Sequence, residues 1–226
     1  MNIIVSGASR GIGKELSLQA SKAGHNVLAL ARTAGRLSDL AAESKLITPV
    51  VIDLMEGNVA EVVDNWVEVV GKVDILINNA GQLLNKPFVE TSVTEFRDQF
   101  DANVITAVKL SQAVVANMNR GAHIINVTSM GGFQGSSKYP GLSAYSSSKG
   151  ALSVLTECLA EEFKEYGIAV NALALGAVQT EMLESAFPGY AAPVSASEMA
   201  TYIIDFSLKG HKYYNGQILP VAIGNP

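Results

Sequence analysis

Short apolar runs alternate with helix-length segments from one end of this chain to the other, and no other feature restricts its fold as much. Residues 3–5 form an apolar run that stops at Ser6-Gly7, and the pattern over 12–23 predicts a helix. Residues 27–31 predict a second strand, and the polar stretch from about 35 to 44 a second helix. Residues 50–52 and 73–77 read as short buried strands, with a helix over Val59–Val70 between them. A long helix is predicted from 94 to about 119 and a strand over 124–127. From 145 to about 166 Leu152, Leu155, Leu159 and Phe163 recur at spacings of three and four, which predicts another helix. Runs at 168–174 and 218–221 complete the set. Apolar strands joined by helices imply right-handed crossovers and a parallel sheet covered on both faces. The expectation is α/β: a single Rossmann-type doubly wound sheet of about seven parallel strands with helices on both faces. No repeat, low-complexity tract or linker interrupts it, so residues 1–226 read as one domain.

Hydrophobic residues make up 48% of the chain and charged residues 16%, against a usual charged share of about 25%. Such a chain is not disordered, and its surplus of apolar surface points to a homodimer or homotetramer. A net charge of −5 argues against nucleic acid or an anionic membrane as the main partner. One cysteine, Cys158, excludes an internal disulfide framework and fits a reducing compartment. The apolar start is far too short for a signal-peptide core. The longest apolar stretch, 168–178, is broken by Asn171 and Gly176, too soon for a membrane span. A cytoplasmic protein is expected.

Between the first strand and the first helix lies Ser6-Gly7-Ala8-Ser9-Arg10-Gly11-Ile12-Gly13. Glycines allow a sharp turn and the close approach of a bulky group. The unpaired N–H groups of a helix start, at the positive end of its dipole, suit a pyrophosphate. Gly7, Ser9, Arg10, Gly11, Ile12 and Gly13 are therefore candidate cofactor contacts, and a tight turn with glycines for packing is their plainer role. No Gly-Lys-Ser/Thr closes the segment, which excludes a P-loop. Its spacing is Gly-x-x-x-Gly-x-Gly, not G-x-G-x-x-G.

The turn resembles the T-G-x-x-x-G-x-G motif of the short-chain dehydrogenase/reductase family, with Ser6 in place of Thr. Matches to later motifs follow in order: Asn78-Asn79-Ala80-Gly81, Asn103, Ser129 and Tyr145-Ser-Ser-Ser-Lys149. The resemblance spans essentially the whole chain. It implies an NAD(P)-dependent oxidoreductase that interconverts a small carbonyl compound and a secondary alcohol. Both 3-oxoacyl thioester reductases and carbonyl reductases fit it. It also implies that Asn79, Ala80 and Gly81 line the cofactor's ribose side, and that the helices over 94–119 and 145–166 pack between subunits.

The end of the second strand selects the dinucleotide. An acid there would accept bonds from the adenosine ribose and repel a 2′-phosphate. This strand ends in Ala31-Arg32, and Arg10 in the glycine turn approaches the same region. Two guanidinium groups favour a dianionic phosphate, so NADP(H) is expected in preference to NAD(H), unless both are solvated surface arginines. Asp53, with Leu54 after it, matches the family position that binds adenine; a turn or N-cap role is the alternative.

Tyr145 and Lys149 are four residues apart, hence on one helix face. A free phenol, of pKa about 10, is a poor base at neutral pH. An ammonium ~4–5 Å away contributes roughly 3–4 kcal/mol at an effective dielectric of about 20, which would lower the tyrosine by about two to three pKa units. Tyr145 is thus the expected general acid/base, and Lys149 its activator and a ribose ligand. Ser129 follows the fifth strand and would hold the substrate oxygen together with Tyr145; a hydroxyl-capped turn is its alternative. The resemblance makes Asn103 the holder of a proton-relay water; otherwise it faces solvent.

Residues 136–138 look like an insertion near the substrate mouth. The segment 171–180 corresponds to the family's nicotinamide-side loop, with Leu175 in place of proline and with Val178 and Thr180 as carboxamide contacts. Residues 181 to about 197 read as a mobile substrate lid or a simple loop. Val221-Ala222-Ile223-Gly224 departs from the family's Val-Asp-Gly-Gly ending. The three histidines are too scattered for a metal site. Cys158 is expected to be packed, and Asn126-Val-Thr128 to be a buried strand rather than a glycosylation site. A catalytically idle NADP-binding sensor or scaffold on the same fold is the rival function.

Overall fold

A computed structural model describes residues 1–223 of the chain. Its main sheet has seven strands, β1 (Asn2–Ser6), β2 (Asn26–Ala31), β3 (Ile47–Val51), β4 (Val73–Asn78), β5 (Met118–Ser129), β6 (Ala169–Leu175) and β9 (Ile218–Val221). They run in the order β3-β2-β1-β4-β5-β6-β9, every neighbour pair parallel. The short strands β7 (Val178–Gln179) and β8 (Val194–Ser195) pair separately. The helices are α1 (Gly11–Lys22), α2 (Ala34–Ala42), α3 (Val59–Val70), α4 (Val93–Phe100), α5 (Thr106–Val115), α6 (Ser143–Glu162), α7 (Glu181–Ala186) and α8 (Ala196–Lys209).

Strand periodicity divides the core in two. Ile3 and Val5 of β1, and Val27, Ala29 and Ala31 of β2, face α1, α2 and α8. Ile4, Leu28 and Leu30 face α3, α5 and α6. Because both faces are buried, these strands show no polar alternation, only continuous apolar runs. On α3, Val59, Val63 and Trp66 make the buried stripe, and the Asn58 side chain accepts the Glu61 N–H at 3.3 Å to cap its start.

Two expectations are corrected. The long helix over 94–119 is interrupted: α4 gives way to a π-helical turn over Asp101–Ile105 before α5 begins, and β5 has started by Met118, so Asn119 is a strand residue. Met118 pairs with Val73, which extends the fifth strand well back from its apolar centre. The stretch 196–209 is a helix that was not expected. Its signals are a capping box of Ser195 and Glu198 and a buried series at Met199, Ile203 and Phe206. The predicted lid thus contains a short helix, α7, and a strand pair with β7. Gly224, named in the departure from the family's ending, lies outside the described residues.

Opposite the carboxyl edge of the sheet, β5 contributes a buried His123. Its Nδ1 donates to the Ser207 carbonyl at 3.0 Å, and its Nε2 accepts from the Asn171 amide at 2.9 Å. Asn171 also donates to the Tyr214 carbonyl and accepts the Gln217 N–H, which ties the approach to β9 onto β6. Burial pushes the imidazole from 6.5 down to about 4, against the upward pull of the Ser207 carbonyl. Folding therefore favours the neutral ring. Its contribution is complete above pH 6.5 and is lost as pH falls toward 4, an interval equivalent to about 3 kcal/mol. In urea unfolding followed across that range, His123→Gln should be less stable at neutral pH and should lack this part of the acid dependence. An unchanged acid slope would contradict the assignment.

Candidate active site

The chain leaves β1 toward one face of the sheet and β4 toward the other, so the carboxyl ends of these adjacent strands diverge and open a crevice. Two turns meet there. The buried Ser6 hydroxyl accepts the N–H groups of Asn79 and Ala80, each at 3.0 Å. The Asn79 side-chain amide donates to the Ser6 and Gly7 carbonyls at 3.0 and 3.3 Å. Gly7 has φ +69°, and a Cβ there would stand 2.9 Å from the Ala80 Cα. A Cβ on Gly13 would collide with the Gly7 carbonyl. These two glycines let the turns and α1 touch.

The crevice continues into a cleft of about 1060 Å³. Every site residue named from the sequence lines it except Gly13 and Asn103. Gly13 packs on the Gly7 carbonyl, the plainer role considered for it. At the start of α1, Arg10 makes no side-chain cap, and no acidic residue lies in the first turn. The first-turn N–H donors are left for an anion from outside the helix. The residues present therefore fit a dinucleotide diphosphate.

On the β1–β2–β3 side, Arg10, Arg32, Asp53 and Leu54 share the cleft with Arg36 of α2, a residue the sequence reading missed. It stands in the first turn of α2, just after the strand end that carries Arg32. Arg32 Nη1 is 3.8 Å from Asp53 Oδ2, with side chains 74% and 42% exposed, a geometry in which an ion pair is worth little. Asp53 Oδ1 also accepts the Met55 N–H at 2.8 Å, so the turn role considered for it is realised as well.

On the β4–β5–β6 side, the π-helical turn directs Asn103 inward. Its side chain is buried, not solvent-facing. It accepts the Gln82 N–H at 2.8 Å and donates to the Gln82 carbonyl at 3.0 Å and the Ser148 hydroxyl at 2.9 Å. Lys149 is buried, and its Nζ donates to the Val127 carbonyl at 2.9 Å. That nitrogen is 6.0 Å from the centre of the Tyr145 ring. Only a residue without a side chain fits at Gly81, where a Cβ would lie 2.7 Å from Asn103 Oδ1 and 3.3 Å from Lys149 Nζ. Gly132, after β5, packs directly on α6, where a Cβ would come within 2.5 Å of the Gly150 nitrogen. This contact sets Ser129 beside Tyr145 and Lys149. The Ser129 hydroxyl accepts the Gly131 N–H at 3.1 Å, so its turn role is realised too.

The electrostatics depart from expectation. Burial raises the Tyr145 phenol above its usual 10, with the Ser129 hydroxyl pulling the other way. Burial lowers Lys149 to about 8. The expected lowering of the phenol is absent because the ammonium is turned to the Val127 carbonyl, and removal from water disfavours both charged forms.

Leu175, in the place of the family's proline, pairs with Ser129 and Val221 in register, and the Gly176 N–H donates to the Val221 carbonyl at 3.0 Å. Sheet bonding holds this turn. Val178 is buried, and the Thr180 hydroxyl accepts the Leu183 N–H at 3.3 Å, capping α7. Across the cleft, Asn85 Nδ2 donates to the Ala186 carbonyl at 2.9 Å. Cys158 is exposed, which corrects its expected packing: the buried side of α6 runs through Leu152, Thr156 and Ala160. Asn126 is buried within β5 as expected. Among the described residues no group of histidine, cysteine and acids could hold a metal ion.

A switch-point cleft with a glycine turn at its floor marks a dinucleotide-binding α/β protein. A family model described as short chain dehydrogenase matches residues 1–191, and the chain belongs to that family, as an oxidoreductase of its NAD(P)-using kind. It is similar to Carbonyl reductase (NADPH) 2 of Sus scrofa, 37% identical over 185 residues, covering 80% of this chain and 73% of that protein. It is also similar to L-xylulose reductase of Mesocricetus auratus, 35% identical over 182 residues, 79% of this chain and 72% of that one. In fold it matches a short-chain dehydrogenase/reductase of Serratia marcescens with TM-score 0.87 and 24% identity, over 98% of this chain and 96% of that one.

Ser6 carries the junction between the two turns. Ser6→Ala leaves the Asn79 and Ala80 N–H groups without their acceptor and should cost about 1–3 kcal/mol. Denaturant unfolding measures this, and unchanged stability would mean the junction is held elsewhere.

Proposed function

We propose that this chain is an NADP(H)-dependent reductase that converts a carbonyl compound to a secondary alcohol, with NADP(H) preferred over NAD(H) and Tyr145 as the general acid/base. The observation that carries this reading is the convergence of Ser129, Tyr145 and Lys149 on one wall of the cleft whose floor is the glycine turn. The NADPH-dependent carbonyl reductase among its relatives agrees with it. Gly7, Ser9, Arg10, Gly11 and Ile12 hold the diphosphate. Asn79, Ala80, Gly81 and Lys149 take the ribose near the reaction, Asp53 and Leu54 the adenine, and Val178 and Thr180 the carboxamide. Arg10 and Arg32 would hold the 2′-phosphate, and the exposed Arg32–Asp53 contact is weak enough to give way to it.

When bound, NADPH supplies the hydride that the carbonyl carbon receives. The substrate oxygen sits between the Ser129 and Tyr145 hydroxyls, and Tyr145 gives it a proton. A phenol held above its usual pKa by burial is protonated at neutral pH, the form a reduction needs. The phenolate left behind is stabilised by Lys149, whose ammonium needs only to leave the Val127 carbonyl. Asn103, fixed by Gln82 and Ser148, positions the proton path that restores the pair. We assign residues 1–226 to one domain that works in the cytoplasm as a homodimer or homotetramer. The exposed Val93 of α4 and Val154 of α6 support the assembly, and no described helix is long and apolar enough to cross a membrane.

Tyr145→Phe should retain NADPH binding, measured by fluorescence titration, and lose about a hundredfold to ten-thousandfold in turnover; retained turnover refutes the assigned role. Arg32→Ala should raise the KM for NADPH by about tenfold to a hundredfold and leave that for NADH nearly unchanged. Steady-state kinetics with both dinucleotides checks this, and a wild-type preference for NADH would overturn the cofactor assignment.

A further inference from the structure

The segment from Gln82 to Lys86 is neither helix nor sheet, yet α4 and the π-helical turn that ends it hold the segment at three points. Asn103 accepts the Gln82 N–H at 2.8 Å and donates back to the Gln82 carbonyl at 3.0 Å. Gln99 Oε1 accepts the Leu84 N–H at 3.1 Å. The Glu95 carboxylate accepts from Lys86 Nζ at 2.7 and 3.0 Å. Residues four apart on the helix thus meet residues two apart on the segment, running in opposite directions. The spacings agree, since four helical residues advance about 6.0 Å and two extended residues about 6.6 Å. The three contacts are rungs of one ladder. An extended chain that turns 82, 84 and 86 to the helix turns 83 and 85 away from it. Leu83 accordingly lines the cleft beside Gln82, and Asn85 Nδ2 donates to the Ala186 carbonyl of α7.

The outer rungs have other duties: Asn103 also donates to the Ser148 hydroxyl, and Glu95 closes the capping box of α4 with Ser92. The middle rung does not. Gln99 is fully buried, and among the described residues its Oε1 meets only the Leu84 N–H while its Nε2 has no hydrogen-bond partner. Turning the amide over would set its N–H groups against the Leu84 N–H, so that contact fixes its orientation. A stranded buried donor costs more than one neutral hydrogen bond returns. An apolar side chain of similar size would pack there at less cost. Packing therefore does not account for glutamine at this position; an acceptor for Leu84 does. Gln99 does not line the cleft, so whatever it does there passes through the segment it holds.

We infer that Gln99 is a positioning residue for the substrate: by holding Leu84 it fixes Leu83 in the cleft wall, and it acts on the binding of the carbonyl compound and not on that of the dinucleotide. This rests on the reductase reading proposed above and deepens it. The dinucleotide is spared because the junction of Ser6 with Asn79 and Ala80, and the grip of Asn103 on Gln82, precede Leu84 in the chain and do not pass through Gln99.

Two substitutions separate positioning from packing. Gln99→Met keeps the size and removes the acceptor, whereas Gln99→Glu keeps an oxygen for the Leu84 N–H. A packing role makes methionine harmless and glutamate damaging; the positioning role makes the reverse order. With 2,3-butanedione as the probe and NADPH saturating, Gln99→Met should raise KM about fivefold to tenfold, with kcat and the Kd for NADPH within about twofold of wild type. Gln99→Glu should keep KM within about twofold. Amide exchange over 82–86 should quicken at least about tenfold in Gln99→Met and not in Gln99→Glu. The urea midpoint of Gln99→Met should stay at that of the wild type, since this variant also sheds the stranded donor. An unchanged KM in Gln99→Met, a rise in its NADPH Kd that matches the rise in KM, or a Gln99→Glu no better than Gln99→Met overturns the inference. So does an early urea midpoint for Gln99→Met, which would mark a purely structural residue. Exchange that separates the two variants, with no turnover of the diketone by the wild type, upholds the ladder and refutes the reductase reading.

Discussion

The junction between the turn after β1 and the turn after β4 is the constraint on which the rest of the site depends. It is a contact of backbone on backbone, possible only because Gly7 and Gly13 present no side chain. The Ser6 hydroxyl then satisfies two N–H groups that would otherwise be stranded away from water. From Ala80 the chain runs to Gly81, which lies against Asn103 and Lys149, and on to Gln82, which Asn103 grips through both its N–H and its carbonyl. The uncapped start of α1 and the buried lysine are thus linked through a few residues of one strand end. A shift at either turn moves both.

Burying Lys149 has a consequence for its neighbour. An ammonium out of water is costly unless bonded, and here one carbonyl accepts from it. The same exclusion of water pushes the Tyr145 phenol up and the lysine down, so the resting site holds its charges weakly. A pair tuned only by mutual attraction would need the nitrogen close to the phenolic oxygen. A nitrogen 6.0 Å from the ring centre and bonded to a strand carbonyl is instead held in reserve. The π-helical turn contributes to the same arrangement, since the extra residue in that turn rotates Asn103 off the outer face of its helix and into the core.

Much of the fold could be read in advance because both faces of the sheet are buried, and strands of that kind advertise themselves as apolar runs. The helix over Val59–Val70 has the bounds expected, set by an asparagine cap and an apolar stripe. What escaped reading has physical causes. The break at Asp101–Ile105 has no proline or glycine to announce it, because it is imposed by packing around Asn103. The helix Ala196–Lys209 begins where the lid reading ends and was left unassigned, although its capping box and apolar spacing were present. In the site, the motif residues other than Gly13 and Asn103 fell into one cleft, while the direction of the Tyr145 shift did not follow from spacing. Four residues on a helix bring two side chains to one face, but burial and a competing carbonyl decide which way the protons lean.

The two halves of the cleft are built to different standards, and that division explains why the reaction class is more legible than the substrate. The half around the glycine turn consists of strand ends, glycine contacts and a helix start, each over-determined by the sheet. The half beside Ser129 and Tyr145 is bounded by the loop from Gln82 to Pro87, the segment 133–141 and the stretch around α7. These are joined to one another by single hydrogen bonds, such as Asn85 to the Ala186 carbonyl and Lys86 to the Gly141 carbonyl. One such bond near water is worth about 1 kcal/mol, a far weaker tie than the sheet gives the other half. Loops held this lightly accept insertions and exchanged aromatics at little cost to stability. Substitutions at Tyr139 and Phe187 therefore reshape that end of the cleft while Ser129, Tyr145 and Lys149 stay where the sheet puts them.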